Sequence, residues 1–240
     1  MNKVLAIYKK VDIAINHILV KKISEERRMI KYENRIILAL DVVDAEKAIQ
    51  IASELINYVD AIKVNYPLIL SQGLKFINKL TVLNDVICDI KLADIPNTNK
   101  LIIQEFKKYD IKGLIAHGFV GSDSLKTAIE EFNGRDIYVI AEMSHPGALE
   151  YMQPFGEKIA IMAKELGAAG VIVPATRPER IKKYKSLVGS LKILAPGVGA
   201  QGGDARTAIM NGADYIIVGR SLYESKDPVV TAKNLIFSIK

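Results

Sequence analysis

The chain has 240 residues, 50% of them hydrophobic, with a formal net charge of +6 and an isoelectric point near 9.2. No apolar stretch reaches the roughly 18 to 20 residues that span a bilayer. The lysines are scattered, without the aromatic-interleaved patch of a nucleic-acid binder, so a small anionic ligand suits the charge better than a polymer or a membrane.

Residues 1 to 34 form a region of their own. Val4, Ile7, Val11, Ile15 and Ile18 recur at helical spacing, while Lys9, Lys10 and Asp12 interrupt the apolar core that a secretion signal needs. This stretch is read as an N-terminal helical extension, with Met29 as an alternative natural start. Residues 35 to 240 form the second region. There, short β-branched runs alternate with amphipathic segments, the pattern of repeated βα units around a parallel sheet. The predicted strands are Ile36 to Leu40, Ala61 to Val64, Val86 to Ile90, Gly113 to Ala116, Ile137 to Ala141, Gly170 to Val173, Lys192 to Ala195 and Tyr215 to Val218. Between them lie helical patterns such as Ala45, Ala48, Ile49, Ala52, Leu55 and Ile56. Eight units predict a closed (β/α)8 TIM barrel, whose chemistry gathers at the carboxyl ends of the strands. Those ends carry Asp41, Lys63, Asp89 with Lys91, His117, Glu142 with Ser144, Pro174, Pro196 with Gly197, and Gly219 with Arg220.

The third strand leads into Asp89-Ile90-Lys91-Leu92-Ala93-Asp94, three charges in six residues behind an apolar run. Alternation puts Asp89 and Lys91 on one face, while Asp94 lies beyond them in a turn set by Ile95-Pro96. With Lys63 at the end of its own apolar run, two lysines and two aspartates form a candidate alternating array. Taken alone, the segment reads more readily as strand-end salt bridges, and it is the rest of the chain that reverses this. Cys88, the single cysteine, excludes an internal disulfide, fits a reducing cytoplasmic compartment and reads as a buried structural thiol. His117 and His145 are weaker acid–base candidates, His17 falls in the extension, and no His/Glu/Asp cluster has metal-ligand spacing. Gly197-Val198-Gly199-Ala200-Gln201-Gly202 matches GxGxxG, but it follows the seventh strand instead of opening a dinucleotide fold. A phosphate cradle fits better, completed after the eighth strand by Gly219-Arg220.

Four segments together resemble orotidine 5'-phosphate decarboxylase in its archaeal form. They are Asp89 to Pro96, Glu142-Met143-Ser144-His145-Pro146-Gly147-Ala148, Pro196 to Gly203, and Val218-Gly219-Arg220-Ser221. The resemblance covers about residues 34 to 240. Asn97 stands where that family often has an acidic residue, and the N-terminal segment is longer than usual. The resemblance implies decarboxylation of orotidine 5'-phosphate to uridine 5'-phosphate and carbon dioxide, the final step of de novo pyrimidine synthesis, with neither metal nor organic cofactor. It assigns catalysis to Lys91, Asp89, Lys63 and Asp94. Substrate binding falls to Asp41 and Lys63 at a ribose hydroxyl, Ser144 at the pyrimidine edge, Gln201 between base and phosphate, and Gly219 with Arg220 at the phosphate, with Pro196 and Gly202 beside them. It also implies a homodimer in which Asp94, Ile95 and Thr98 reach the neighbouring subunit's site. Metal-dependent barrels acting on sugar phosphates share the Asp-x-Lys-x-x-Asp pattern, but they carry a glutamate where Lys63 stands. A non-catalytic nucleotide-binding barrel is the other alternative, and the paired charges argue against it.

Overall fold

The computed structural model describes residue 30 and residues 32–240. The apolar helical face expected from Val4 to Ile18 lies outside them.

Eight parallel strands close in chain order: β1 Ile36–Leu40, β2 Ala61–Asn65, β3 Val86–Leu92, β4 Gly113–His117, β5 Asp136–Ile140, β6 Gly170–Ile172, β7 Lys192–Pro196 and β8 Tyr215–Val218. β1 and β8 coincide with their predicted limits; β3 differs most, running two residues further than its apolar run. The helices around the barrel are α1 Ala45–Leu55, α2 Tyr66–Gln72, α3 Ile77–Thr81, α4 Pro96–Phe106, α5 Ser122–Glu131, α6 Ala148–Tyr151, α7 Gln153–Glu165, α8 Pro178–Val188, α9 Ala205–Met210, α10 Arg220–Tyr223 and α11 Pro228–Ile239. Local chemistry sets several starts. Asp44, Asp204 and Asp227 each accept a backbone N–H of the first turn that follows, at 2.8, 2.7 and 2.9 Å.

Nearly every strand residue is buried, because a barrel strand has a helix-covered face and an inward face. Ile36, Leu38, Leu40, Ile62, Val64, Cys88 and Ile90 belong to the core shared with the helices. The alternate residues point inward, and at the carboxyl rim these are polar. Lower in the barrel the filling is bulky. Tyr138 is buried there, and a Cβ at Gly170 would lie 3.1 Å from its ring and 2.5 Å from the Lys192 carbonyl, so only glycine fits. The amino-terminal rim is fastened by Asp60, whose carboxylate accepts the backbone N–H groups of Glu33, Asn34 and Arg35. Among the described residues, no helix is long and apolar enough to cross a membrane.

Candidate active site

At the carboxyl rim the inward positions surround a cavity of about 250 Å³. Nine of the residues to which the resemblance assigns catalysis or binding line it: Asp41, Lys63, Asp89, Lys91, Ser144, Pro196, Gln201, Gly219 and Arg220. Strand parity explains the charged wall. Lys63 in β2 and Asp89 in β3 both occupy inward positions, and Asp41 follows β1 directly. The Lys63 ammonium lies 3.1 Å from Asp89 Oδ2 and 3.7 Å from Asp41 Oδ1. Lys91 Nζ donates to both Asp89 oxygens at 3.0 Å. Asp89 is thus clasped between two ammonium groups, with its side chain and that of Lys63 only 9% and 8% exposed. Burial alone would raise the Asp89 carboxyl, but Lys63 and Lys91 outweigh it and hold the group below the usual carboxylate range. It stays an anion.

Lys91 reaches this place by a local distortion. Between Cys88 and Leu92, β3 spans four steps while β4 covers only Leu114 to Ala116, so two extra residues bulge out. Lys91 takes φ of 44° within that bulge, a left-handed conformation uncommon for a residue with a Cβ. The expected shared face of Asp89 and Lys91 is realised, through a kinked strand instead of a straight one. Strained backbone of this kind gathers at functional sites.

On the opposite wall, Ser144 follows β5. Gly197, at φ 95°, lacks the Cβ that would press within 3.4 Å of Ser144 and Gln201, so the loop backbone lies close to both side chains. Glu142 sits on this wall too, fully buried, with its Oε1 committed: Arg180 donates to that oxygen through Nε and Nη2 and Tyr184 at 3.0 Å, while Oε2 lies 3.5 Å from Arg177 Nε. Arg177 donates to the Met143 carbonyl and tethers the peptide that leads into Ser144. Arg177, Arg180 and the inward Asn65 were not singled out from sequence. The cue for the arginines was Thr176-Arg177-Pro178-Glu179-Arg180, two cations opening a helix just past β6.

The phosphate candidates meet at the far end of the cavity. The Gly197 to Gly203 loop is closed by Gly203 N–H on the Gly197 carbonyl at 3.0 Å and Gly199 N–H on the Gly203 carbonyl at 2.8 Å. The Ala200 N–H donates to Ser221 Oγ at 2.8 Å, joining the loop to α10, which begins at Arg220. Gly202 shapes this loop without lining the cavity.

Three candidates stand apart. Asp94, Ile95 and Thr98 lie past β3 and do not line their own chain's cavity. Asp94 is exposed, its carbonyl held by Asn99 Nδ2 and Ser124 Oγ, and Ile95 is 65% exposed. His145 is exposed at the rim, whereas His117 is buried, and burial with the nearby Lys91 lowers it to about 4. Cys88 is fully buried on the helix-covered face, and burial raises its thiol.

Among the described residues, no group of three His, Cys, Asp or Glu side chains is placed to hold a metal ion. The profile of the orotidine 5'-phosphate decarboxylase / HUMPS family matches residues 34–235. An orotidine 5'-phosphate decarboxylase of Methanococcoides burtonii is 51% identical over 206 residues, covering 85% of this chain and 96% of its own. Its counterpart in Thermococcus kodakarensis is 52% identical over 206 residues, at 85% and 95% coverage. Among solved structures, the orotidine 5'-monophosphate decarboxylase of Methanocaldococcus jannaschii complexed with the inhibitor BMP superposes with a TM-score of 0.82 at 41% identity, over 85% of this chain and 98% of that one.

Proposed function

The chain belongs to the orotidine 5'-phosphate decarboxylase / HUMPS family, and from that premise we propose a mechanism in which Lys91 carries the central chemistry. The enzyme decarboxylates orotidine 5'-phosphate to uridine 5'-phosphate in pyrimidine biosynthesis. Breaking the bond between carbon 6 and the carboxyl group releases carbon dioxide and leaves an electron pair in the plane of the ring, where the π system cannot absorb it. A fixed cation is the remedy. The Lys91 ammonium, held on Asp89 at 3.0 Å, stabilises that pair as it develops and then delivers its proton to carbon 6. Water returns the proton to the amine. Asp89 stands near the departing carboxylate, and Lys63 balances its charge. The observation that carries this reading is the Asp41, Lys63, Asp89, Lys91 chain of contacts inside one cavity.

Substrate orientation follows from the same cavity. Asp41 and Lys63 take a ribose hydroxyl, Ser144 the pyrimidine edge, Gln201 the space between base and phosphate, and Gly219 with Arg220 the phosphate, beside Pro196 and Gly202. Remote phosphate binding supplies energy for closing the glycine-rich loop and drying the reacting end. We further assign Asp94, Ile95 and Thr98 to the site of a second copy in a homodimer. The outward exposure of Asp94 and Ile95 supports this, as does a run of exposed apolar residues after β3, β4 and β5, namely Leu101, Phe119, Leu149, Tyr151 and Phe155. A cytoplasmic setting fits the lone buried Cys88.

The rival reading is a barrel that performs metal-dependent catalysis on sugar phosphates. In this chain the Lys63 ammonium occupies the place beside Asp89, where it would repel a divalent ion. The test is the loss of orotate-ring absorbance from orotidine 5'-phosphate, followed with and without a chelator. Turnover unaffected by chelator is the expected result; turnover abolished by it would contradict the metal-free reading.

A further inference from the structure

We propose that Asn65 is a substrate-binding residue whose carboxamide oxygen accepts a hydrogen bond from a ribose hydroxyl of the nucleotide. This deepens the decarboxylase reading and rests on it.

Asn65 ends β2, two residues after Lys63, so its side chain shares the inward face. In the strand register it stands opposite Asp89, and it lines the cavity beside Asp41, Lys63 and Asp89. Its Oδ1 is buried and finds no hydrogen-bond donor among the described residues. The local backbone has no use for it either. Asn65 precedes α2 at the capping position, where an asparagine ordinarily accepts an N–H from the first turn. Here Pro67 occupies that turn and brings no N–H, and the side chain makes no capping bond. A buried acceptor in this state carries a desolvation penalty that a donor from a ligand removes.

The donor is identified by elimination. The Lys63 ammonium, directed to Asp89 and Asp41, makes no bond to the Asn65 carboxamide oxygen. The substrate's phosphate and carboxylate are acceptors at neutral pH, and the imide N–H of its ring belongs to the opposite wall with Ser144. What remains is the sugar, whose two hydroxyl groups are donors and which the Asp41 and Lys63 end of the cavity receives.

The experiment compares kcat/KM of wild type and Asn65→Ala on orotidine 5'-phosphate and on its 2'-deoxy and 3'-deoxy analogues. Loss of one such hydrogen bond predicts that Asn65→Ala lowers kcat/KM for the ribonucleotide about tenfold, yet changes it less than about twofold for whichever analogue lacks the bonded hydroxyl. Equal losses on all three substrates overturn the proposal and assign the carboxamide to packing instead. Should Asn65→Ala fail to fold, Asn65→Leu, which fills the volume without an acceptor, must give the same pattern. Wild-type turnover of orotidine 5'-phosphate checks the underlying reading independently.

Discussion

At Lys91 the backbone adopts φ of 44° and brings the ammonium within 3.0 Å of both Asp89 oxygens, a conformation that costs about 1 to 3 kcal/mol for a residue with a Cβ. Packing and the Asp89 contacts hold it there. The role proposed for Arg220 lies at the other end of the substrate and rests on charge and geometry alone. Arg220→Ala should raise KM for orotidine 5'-phosphate by two orders of magnitude or so while leaving the unphosphorylated nucleoside almost unaffected, since only the former offers a dianion to grip. Steady-state kinetics on both compounds checks this, and equal losses would contradict the assignment. His117 gives a pH signature. Burial and Lys91 lower it from 6.5 to about 4, so between those values the unfolded chain binds a proton that the folded chain refuses. Its contribution is therefore full above pH 6.5 and is lost as pH falls toward 4. Against a His117→Gln variant, the wild type should lose on the order of 3 kcal/mol of relative stability across that window, read by denaturant melts at several pH values. A constant difference would show that His117 is not held neutral.

Among the elements, the segment from β3 into α4 separates residues only a few positions apart: Asp89 and Lys91 face their own cavity while Asp94 faces outward. The carbonyl of Asp94 is fastened by Asn99 and Ser124, so the segment is presented as a rigid edge. If that edge completes a neighbour's site, inactive Lys91→Ala chains mixed with inactive Asp94→Ala chains should recover about a quarter of wild-type activity, because half of the dimers are mixed and each holds one intact site. No recovery despite proven subunit exchange would argue against sharing. The same segment marks what sequence conveys and what it does not. Charges directly behind an apolar strand announce a rim site, and Asp89 with Lys91 were legible for that reason. The bulge was not, since no glycine signals the positive φ at Lys91. Glu142 was legible as a rim residue, but its partners Arg180 and Tyr184 lie 38 and 42 residues further on, beyond any local pattern. Asn65 before Tyr66-Pro67 reads as an ordinary turn residue, and only the closed barrel reveals that it points inward.

Across the whole molecule, the period of the βα units was the clearest signal, because each strand must be apolar on both faces and each helix on one. Closure then converts eight sequence-distant strand ends into one ring, bringing Asp41 and Arg220 to the same cavity. Every residue assigned a role falls within the family match of residues 34–235. The central claim is that the Lys91 ammonium, and no metal, stabilises and protonates the carbanion at carbon 6. It is tested most directly by the turnover of Lys91→Ala on orotidine 5'-phosphate, measured alongside its affinity for a uridine 5'-phosphate analogue. Losing the proposed proton donor predicts a fall of roughly four or more orders of magnitude in kcat with analogue binding retained. Near wild-type turnover in that variant would contradict it.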